Sequence, residues 1–233
     1  MEKKRKEIQT ARMWRYFLDA ASELIKTKSL HEITIREIAD KAGFTSSTVY
    51  NYFKDLSHLK FFAVMRFTKT YVQDLPSYME KGNNTVEKWL YSWECFCKHS
   101  FENPEIYELL YIENIGTNPE EMVEYYHEVY ENEFINLSED MQDILMNHNI
   151  AKRSSLYIQS AVEEDLIKQE DIEYLAGTTM LIWTGMIITV LNLRKQYSKE
   201  EAIEKTMNYI KETIINTVNP EKRSNINYTY NKN

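Results

Sequence analysis

Apolar residues recur along most of this chain at intervals of three and four, and no run alternates strictly between turn signals. That spacing predicts helices rather than strands. An amphipathic helix is expected from about Arg12 to Lys26. The stretch TIREIADKAGFTSSTVYNYF, from Thr34 to Phe53, then reads as a helix, a glycine-pinned turn and a second short helix. Thr34 can N-cap the first of these, and Glu37 stands where its carboxylate can bond back to the cap in a capping box. Ile35, Ile38, Ala39 and Ala42 fall on one face, and Gly43 can take positive φ without a Cβ clash, so the helix turns there. Thr45 is expected to cap the next helix. In it Val49 and Phe53 point inward, leaving Ser46, Ser47, Tyr50, Asn51 and Lys54 mostly outward. Leu59, Phe62, Ala63 and Met65 continue the pattern on a further helix, which runs from Leu56 to about Leu75.

Beyond it, the Gly82-Asn83-Asn84 breaker is the clearest compositional boundary, and a helix is expected to begin at Thr85. Successive helices are expected over Thr85–Phe101, Pro104–Ile115, Pro119–Asn136, Ser138–Met146, Ile150–Ile167, Asp171–Lys195 and Ser198–Val218. No repeat period links them. The segment Asp171–Lys195 is more apolar than one core-facing stripe requires, so a second surface must cover it. Its longest apolar run, Met180 to Leu193, is interrupted by Thr184, Gly185, Thr189 and Asn192 and falls short of the roughly 20 residues that span a bilayer. It reads as a buried or interface helix, with no membrane partner. The last segment, PEKRSNINYTYNKN, is polar and without period, and is expected to fray.

Composition agrees with this reading. The 233 residues are 43% apolar and 27% charged, with only 5 Gly and 4 Pro, which suits a folded all-helical chain. The formal charge of −8 is unevenly spread: residues 1–66 carry 13 Lys/Arg against 8 Asp/Glu, and the remainder 15 against 28. A basic head can release counterions from DNA while an acidic body is held away from the phosphates. The outward hydroxyls, amide and cation of the second short helix suit a major groove about 12 Å wide. Lys3, Lys4, Arg5 and Lys6 form a solvated run or an arm along the DNA backbone. No apolar stretch follows them, so the N-terminus is not a secretory signal and the protein is expected in the cytoplasm.

The pair Ile38-Ala39, the pair Ala42-Gly43, the run Thr48-Val49-Tyr50, the Tyr52-Phe53 ending and Leu59 early in the next helix together resemble the tetracycline-repressor (TetR) family. The motif match covers roughly residues 10 to 65, and beyond it the likeness is one of layout. The resemblance implies an all-α fold with an N-terminal three-helix helix-turn-helix head (residues 1–66, motif about 34–53). It further implies a larger helical effector-binding and dimerisation body (67–218), leaving a flexible C-terminal tail (219–233). It implies that double-stranded DNA meets Thr34, Arg36, Thr45, Ser46, Ser47, Thr48, Tyr50, Asn51, Tyr52 and Lys54. It also implies a homodimer through the last two long helices, whose paired heads would read a pseudo-palindromic operator. One departure stands out. Family members usually carry a lysine three residues after the phenylalanine, and this chain has Leu56, flanked by Lys54 and Lys60.

The body carries many aromatic residues at helical spacing. For any one of them core packing is the simpler reading, but buried tyrosine hydroxyls want partners. A group of them with Trp and Met suggests a mostly apolar pocket for an amphipathic or aromatic small molecule. The candidates are Trp89, Trp93, Phe96, Tyr107, Tyr111, Tyr126, Tyr157 and Trp183. The body's net negative charge favours a cationic or neutral ligand over a strongly anionic one. Cys95 and Cys97 point about 200° apart on one helix and cannot pair. Five histidines lack metal-ligand spacing, so neither metal nor other cofactor is expected. No nucleophile elbow or glycine-rich phosphate loop is present, and the acids Glu163, Glu164 and Asp165 read as a solvated helix face, so no enzyme is expected. The reading is a DNA-binding regulator, a repressor released from its operator by an effector. The alternative is a DNA-binding protein whose body is an interaction scaffold with no small-molecule effector.

Overall fold

The computed structural model describes residues 2–114, 116, 121–122, 139–193 and 196–230, and for residues 2–7, 139–140 and 146 the backbone alone. The described residues are helical with no strand. The chain divides into two compact units, one built on residues up to Lys69 and one on residues from Thr70 onward, with Glu113, Asn114, Gly116, Glu121 and Met122 belonging to the first.

The first unit is a small helical head. Helix α1 (Glu2–Ile25) buries Trp14, Phe17, Leu18 and Ala21, a stripe at i, i+3, i+4 and i+7, against α2 (Ile35–Ala42) and α4 (Leu56–Met65). A short 3-10 turn, Leu30–Glu32, capped by the Ser29 side chain, leads into α2. Helix α3 (Ser46–Val49) is a single turn. Phe53, at the end of the turn that follows it, is seated against Trp14 at a ring-centroid distance of 4.5 Å, and Trp14 also meets Phe62 at 4.6 Å. Each such buried aromatic is worth about 1.5–3 kcal/mol of hydrophobic transfer. The frame that holds α3 is therefore set by aromatic packing.

The expected continuous helix from Leu56 to Leu75 is interrupted. α4 stops at Met65, a 3-10 turn covers Arg66–Thr68, and α5 (Lys69–Met79) continues. The Thr68 hydroxyl donates to the Met65 carbonyl at 2.7 Å, a local bond that competes with regular helix pairing.

In the second unit, α6 (Thr85–Glu102) is the central helix. Asn84 caps it by accepting from the Glu87 N–H at 2.9 Å. Val86, Trp89, Leu90, Trp93, Cys95, Phe96, Cys97 and Phe101 are all buried, because α6 is covered on several sides by its neighbours. Gly82 lies just before it, where a Cβ would come within 2.5 Å of the Lys88 nitrogen. Around α6 stand α7 (Pro104–Tyr111), α8 (Glu139–Met146), α9 (Ile150–Ile158), α10 (Asp171–Leu191) and α11 (Lys199–Thr217). Cys95 and Cys97 are free thiols, and burial pushes both above the usual thiol range.

Three expectations for the body need correction. α9 ends at Ile158 rather than Ile167; a 3-10 turn and irregular backbone follow, and Asp165 takes φ +55°. The acids there are consequently not a helix face. Glu164 accepts from the Thr85 N–H at 2.9 Å and Asp165 pairs with Lys222 at 3.0 Å. The described residues past Val218 are also not without structure: a 3-10 helix spans Pro220–Asn225, Tyr228 is buried, and its hydroxyl donates to Glu94 at 2.9 Å. Polar composition hid this because the anchoring groups are single side chains rather than a periodic face. The helix expected over residues 119–136 lies outside the described residues.

Candidate DNA-reading head and effector cleft

The helix-turn-helix is built as its sequence dictates. The Glu37 N–H donates to the Thr34 hydroxyl at 3.3 Å and the Thr34 N–H donates to the Glu37 carboxylate at 3.0 Å, closing the capping box. Gly43 ends α2 in the left-handed region at φ +80°, and the Phe44 N–H returns to the Ala39 carbonyl at 2.9 Å. Thr45 occupies the cap position of α3, but its side chain makes no bond to the helix backbone, contrary to expectation. Its hydroxyl instead meets those of Ser47 at 2.8 Å and Thr48 at 3.0 Å. The three hydroxyls form one polar patch at the helix start.

Val49 and Phe53 are buried. With them fixed inward, Ser47, Tyr50, Asn51 and Lys54 face solvent, and Ser46, Thr48 and Tyr52 are half-buried. Tyr50 is 58% exposed, unusual for a large ring in a well-packed head. Thr34 and Arg36 are exposed beside them, and the Arg36 guanidinium holds Asp40 only at 3.7 Å. The Lys54 ammonium donates to the Gly116 carbonyl at 3.2 Å.

Leu56 is half-buried in the first turn of α4, where it presents no charge. The Asp55 carboxylate caps that helix by accepting from the His58 N–H at 2.8 Å. That N–H is already used, which reduces what α4 offers an anion in place of the missing lysine. Burial lowers the His58 pKa, and the ring's Nδ1 accepts from the Lys54 N–H at 3.2 Å.

Residues 17–58 match the family model described as bacterial regulatory proteins, tetR family. The head is that of the TetR family. Solved structures of TetR-family proteins share the fold over most of the chain. FadR of Thermus thermophilus, a TetR-family transcriptional repressor solved in complex with lauroyl-CoA, is 13% identical with a TM-score of 0.58, over 86% of this chain and 94% of that one. A TetR-family regulator from Syntrophomonas wolfei is 15% identical with a TM-score of 0.57, over 87% and 94%. The fatty acid degradation regulator FadR from Bacillus halodurans is 15% identical with a TM-score of 0.51, over 84% and 93%. At such identities the likeness is one of fold. No curated protein matches the chain.

The second unit contains a narrow cleft of about 20 Å³, partly open to solvent, lined by Tyr71, Ser92, Trp93, Phe96, Ile150, Arg153, Ser154 and Tyr157. Of the expected ligand residues, Trp93, Phe96 and Tyr157 line it. Tyr111 stands beside it, with its ring 5.8 Å from Phe96 and 5.9 Å from the Arg153 guanidinium. Trp89 and Trp183 are core: their indole N–H groups donate to Ser154 at 2.9 Å and Ser100 at 3.0 Å. Tyr107 is buried in contact with Phe96, at 5.5 Å between ring centroids, and its hydroxyl has no partner among the described residues. Tyr126 lies outside the described residues.

Sequence reasoning missed Arg153, the one charged side chain lining this cleft among the described residues. A signal existed. Ile150, Arg153, Ser154, Tyr157 and Ile158 fall at helical spacing on one face of α9, and an arginine on such a stripe is out of place unless something inside needs it. The body's net negative charge gave no hint of a cation in the cleft lining.

Proposed function

We propose that this protein is a ligand-responsive transcriptional repressor of TetR type, a cytoplasmic homodimer released from a pseudo-palindromic operator when an effector enters the α6–α9 cleft. The observation that carries the reading is the rigid α2–Gly43–α3 turn, whose Val49 and Phe53 anchors leave Ser47, Tyr50, Asn51 and Lys54 exposed. A surface of short hydrogen-bonding groups and a cation, set on a packed frame, can meet base edges and phosphates. Binding, rather than catalysis, accounts for it.

Dimerisation through α10 and α11 is supported by the outward face of α10. That helix is long and apolar enough by length and composition to cross a membrane, yet only 28% of its most apolar window is buried. Tyr174 is 60% exposed and Leu181 73% exposed. A second copy covers such a face in a soluble protein. An apolar effector is in keeping with the lauroyl-CoA bound by the Thermus thermophilus relative. A coupling of about 1–3 kcal/mol would change operator affinity roughly 5–150-fold.

Binding of the purified protein to a fragment spanning its own upstream region, across a salt series and beside an unrelated fragment, tests the reading. Specific, salt-weakened binding at two protomers per site is expected. Equal, weak binding to both fragments counts against it. The scaffold reading, with no effector, has one observation in its favour: the cleft, at about 20 Å³, is far smaller than the roughly 300–1,000 Å³ usual for ligand sites. Titration of candidate effectors against the protein–DNA complex separates the two.

A further inference from the structure

We propose that His58 is a positioning residue for DNA reading: its neutral ring ties the turn that carries Asn51 and Lys54 to the start of α4, and protonation releases that turn and weakens operator binding as pH falls. The inference rests on the reading of the head above and adds its control by pH. Hydrogen bonding changes direction at Lys54. The N–H groups of Asn51, Tyr52 and Phe53 return to the Thr48, Val49 and Val49 carbonyls at 3.2, 2.9 and 3.0 Å, whereas the Lys54 N–H donates forward to the His58 Nδ1 at 3.2 Å. His58 is the third residue of α4, and the cap of that helix, Asp55, accepts from the His58 N–H at 2.8 Å. Cap and third residue thus each satisfy a backbone N–H, as in a capping box, except that the third side chain reaches the residue before the cap. The usual residue for this task is Glu or Gln, whose acceptor persists at any neutral pH. Here it is a histidine.

That choice makes the bond titratable. A backbone N–H can only donate, so Nδ1 must offer its lone pair, and the bond exists only while the ring is neutral with its proton on Nε2. An imidazolium has no acceptor and would set one donor against another. The ring is half-buried among Trp14, Phe53 and Phe62, at centroid distances of 6.3, 6.0 and 5.0 Å, so α1, the turn and α4 each press an uncharged ring on it. It cannot swing out of the bond without disturbing that packing. Burial disfavours the charged ring most, Asp55 favours it and Lys54 opposes it, and these are the charged groups that act on it among the described residues. The change of charge therefore falls below the ordinary 6.5. The bond is complete above that value and is lost as pH drops through the folded pKa. Positive charge added to a DNA-binding head would by itself strengthen binding as pH falls. A loss of affinity over this range has the opposite sign, which separates the bond from general electrostatics.

Two measurements on the full-length protein test this. NMR with isotope-labelled histidine and lysine is expected to show His58 as the Nε2-protonated tautomer at pH 7.5, and the Lys54 amide shift moving with the ring's titration below 6.5. Affinity for the protein's own upstream fragment is measured from pH 7.5 to 5.5 at constant ionic strength. It is expected to fall about three- to ten-fold further in the parent than in His58→Gln, which keeps an acceptor that does not titrate. His58→Leu, with bulk but no acceptor, is expected to bind about three- to ten-fold more weakly than His58→Gln at pH 7.5, with no extra loss at pH 5.5. Should His58→Leu fail to fold, the parent and His58→Gln decide the matter between them. Parallel pH profiles in those two overturn the proposal, as does an Nδ1-protonated ring at pH 7.5 or a Lys54 amide that ignores the ring's titration. Both NMR signatures without specific DNA binding at any pH would fault the regulator reading and reduce His58 to a structural bond. Specific DNA binding with parallel profiles would fault the positioning role alone.

Discussion

Thr34 and Glu37 bond reciprocally across the first turn of α2, each side chain satisfying the other's backbone N–H at 3.3 and 3.0 Å. The same carboxylate also accepts from the Thr34 hydroxyl at 2.9 Å and pairs with Lys28. Both ends of α2 are thus fixed locally, here by the box and at Gly43 by a left-handed residue, so the angle at which α3 leaves the turn does not depend on distant packing.

Thr34→Ala is expected to lower the stability of the head by about 1 kcal/mol, the usual value of an N-cap side chain. Gly43→Ala has open space for its Cβ, yet must hold φ +80°, which costs roughly 1–2 kcal/mol. Chemical denaturation followed at Trp14 fluorescence, with the other tryptophans replaced, measures both. A Gly43→Ala head as stable as the parent would show that the turn relaxes to a different conformation.

Acid should loosen α2 in a particular window. The hydrogen bond from Lys28, helped by those from Thr34, holds the Glu37 carboxyl at about 2, below its ordinary 4.5. Its folded pKa is depressed, so the contribution is complete above about 4.5 and is lost as pH falls toward 2. The pair is exposed and therefore screened by salt. Glu37→Gln is expected to flatten the acid limb of the head's stability curve between those values, more visibly at low ionic strength. An unchanged acid limb would show that Glu37 keeps the same pKa in the folded and unfolded head.

Base-reading and phosphate-binding residues should separate in the salt series. Asn51→Ala is expected to cost about 1–3 kcal/mol on the operator and to relax specificity at one position. Lys54→Ala should weaken binding to all sequences alike and reduce the salt slope by about 1. If Tyr50→Ala and Asn51→Ala both leave DNA affinity unchanged, the assignment of α3 and the turn after it as the reading element is wrong.

The contrast between head and body explains what the sequence disclosed. Thr34, Glu37, Gly43, Val49 and Phe53 act over four residues or fewer, through caps, a left-handed turn and helical spacing, and such rules are written in adjacent residues. The break of α4 at Met65 was not legible, since Arg66–Thr68 are competent helix residues and the 3-10 turn is a matter of local hydrogen bonding. Nor was the cleft. Trp89 and Trp93 are four apart on the same helix, and only the fold puts one in the core against Ser154 and the other on the cleft wall. Arg153 was hidden for the same reason, because an arginine reads as surface until the neighbouring helices close over it.

Tyr107 offers a test of the body's packing. Its ring is 1% exposed, and its hydroxyl is the only buried side-chain polar atom without a partner among the described residues. A buried hydroxyl left unbonded costs about 1–3 kcal/mol. Tyr107→Phe is therefore expected to leave stability unchanged or raise it by about 1 kcal/mol, whereas most large-residue changes in a core lower it. A fall in melting temperature would mean that the hydroxyl has a partner, such as a buried water.

The C-terminal segment should behave as part of the body. Tyr228 packs its ring on Tyr91 at 4.9 Å and donates its hydroxyl to Glu94, which is 2% exposed and otherwise held by Lys98 at 3.3 Å. Burial and the adjacent Glu94 carboxylate push the phenol well above the usual tyrosine range, so it remains a donor at any ordinary pH. A hydrogen bond to a charged group is worth about 1.5–3 kcal/mol. Tyr228→Phe is expected to cost that much, because Glu94 keeps its burial and loses a partner. Truncation after Val218 should cost more, since the Asn227 N–H that meets Glu87 at 2.6 Å goes with it. Hydrogen exchange provides the second readout: amides of the first turns of α6 should lose protection in the truncated chain. Equal melting temperatures and equal protection in the full and truncated chains would show that residues 219–230 rest on the body without stabilising it.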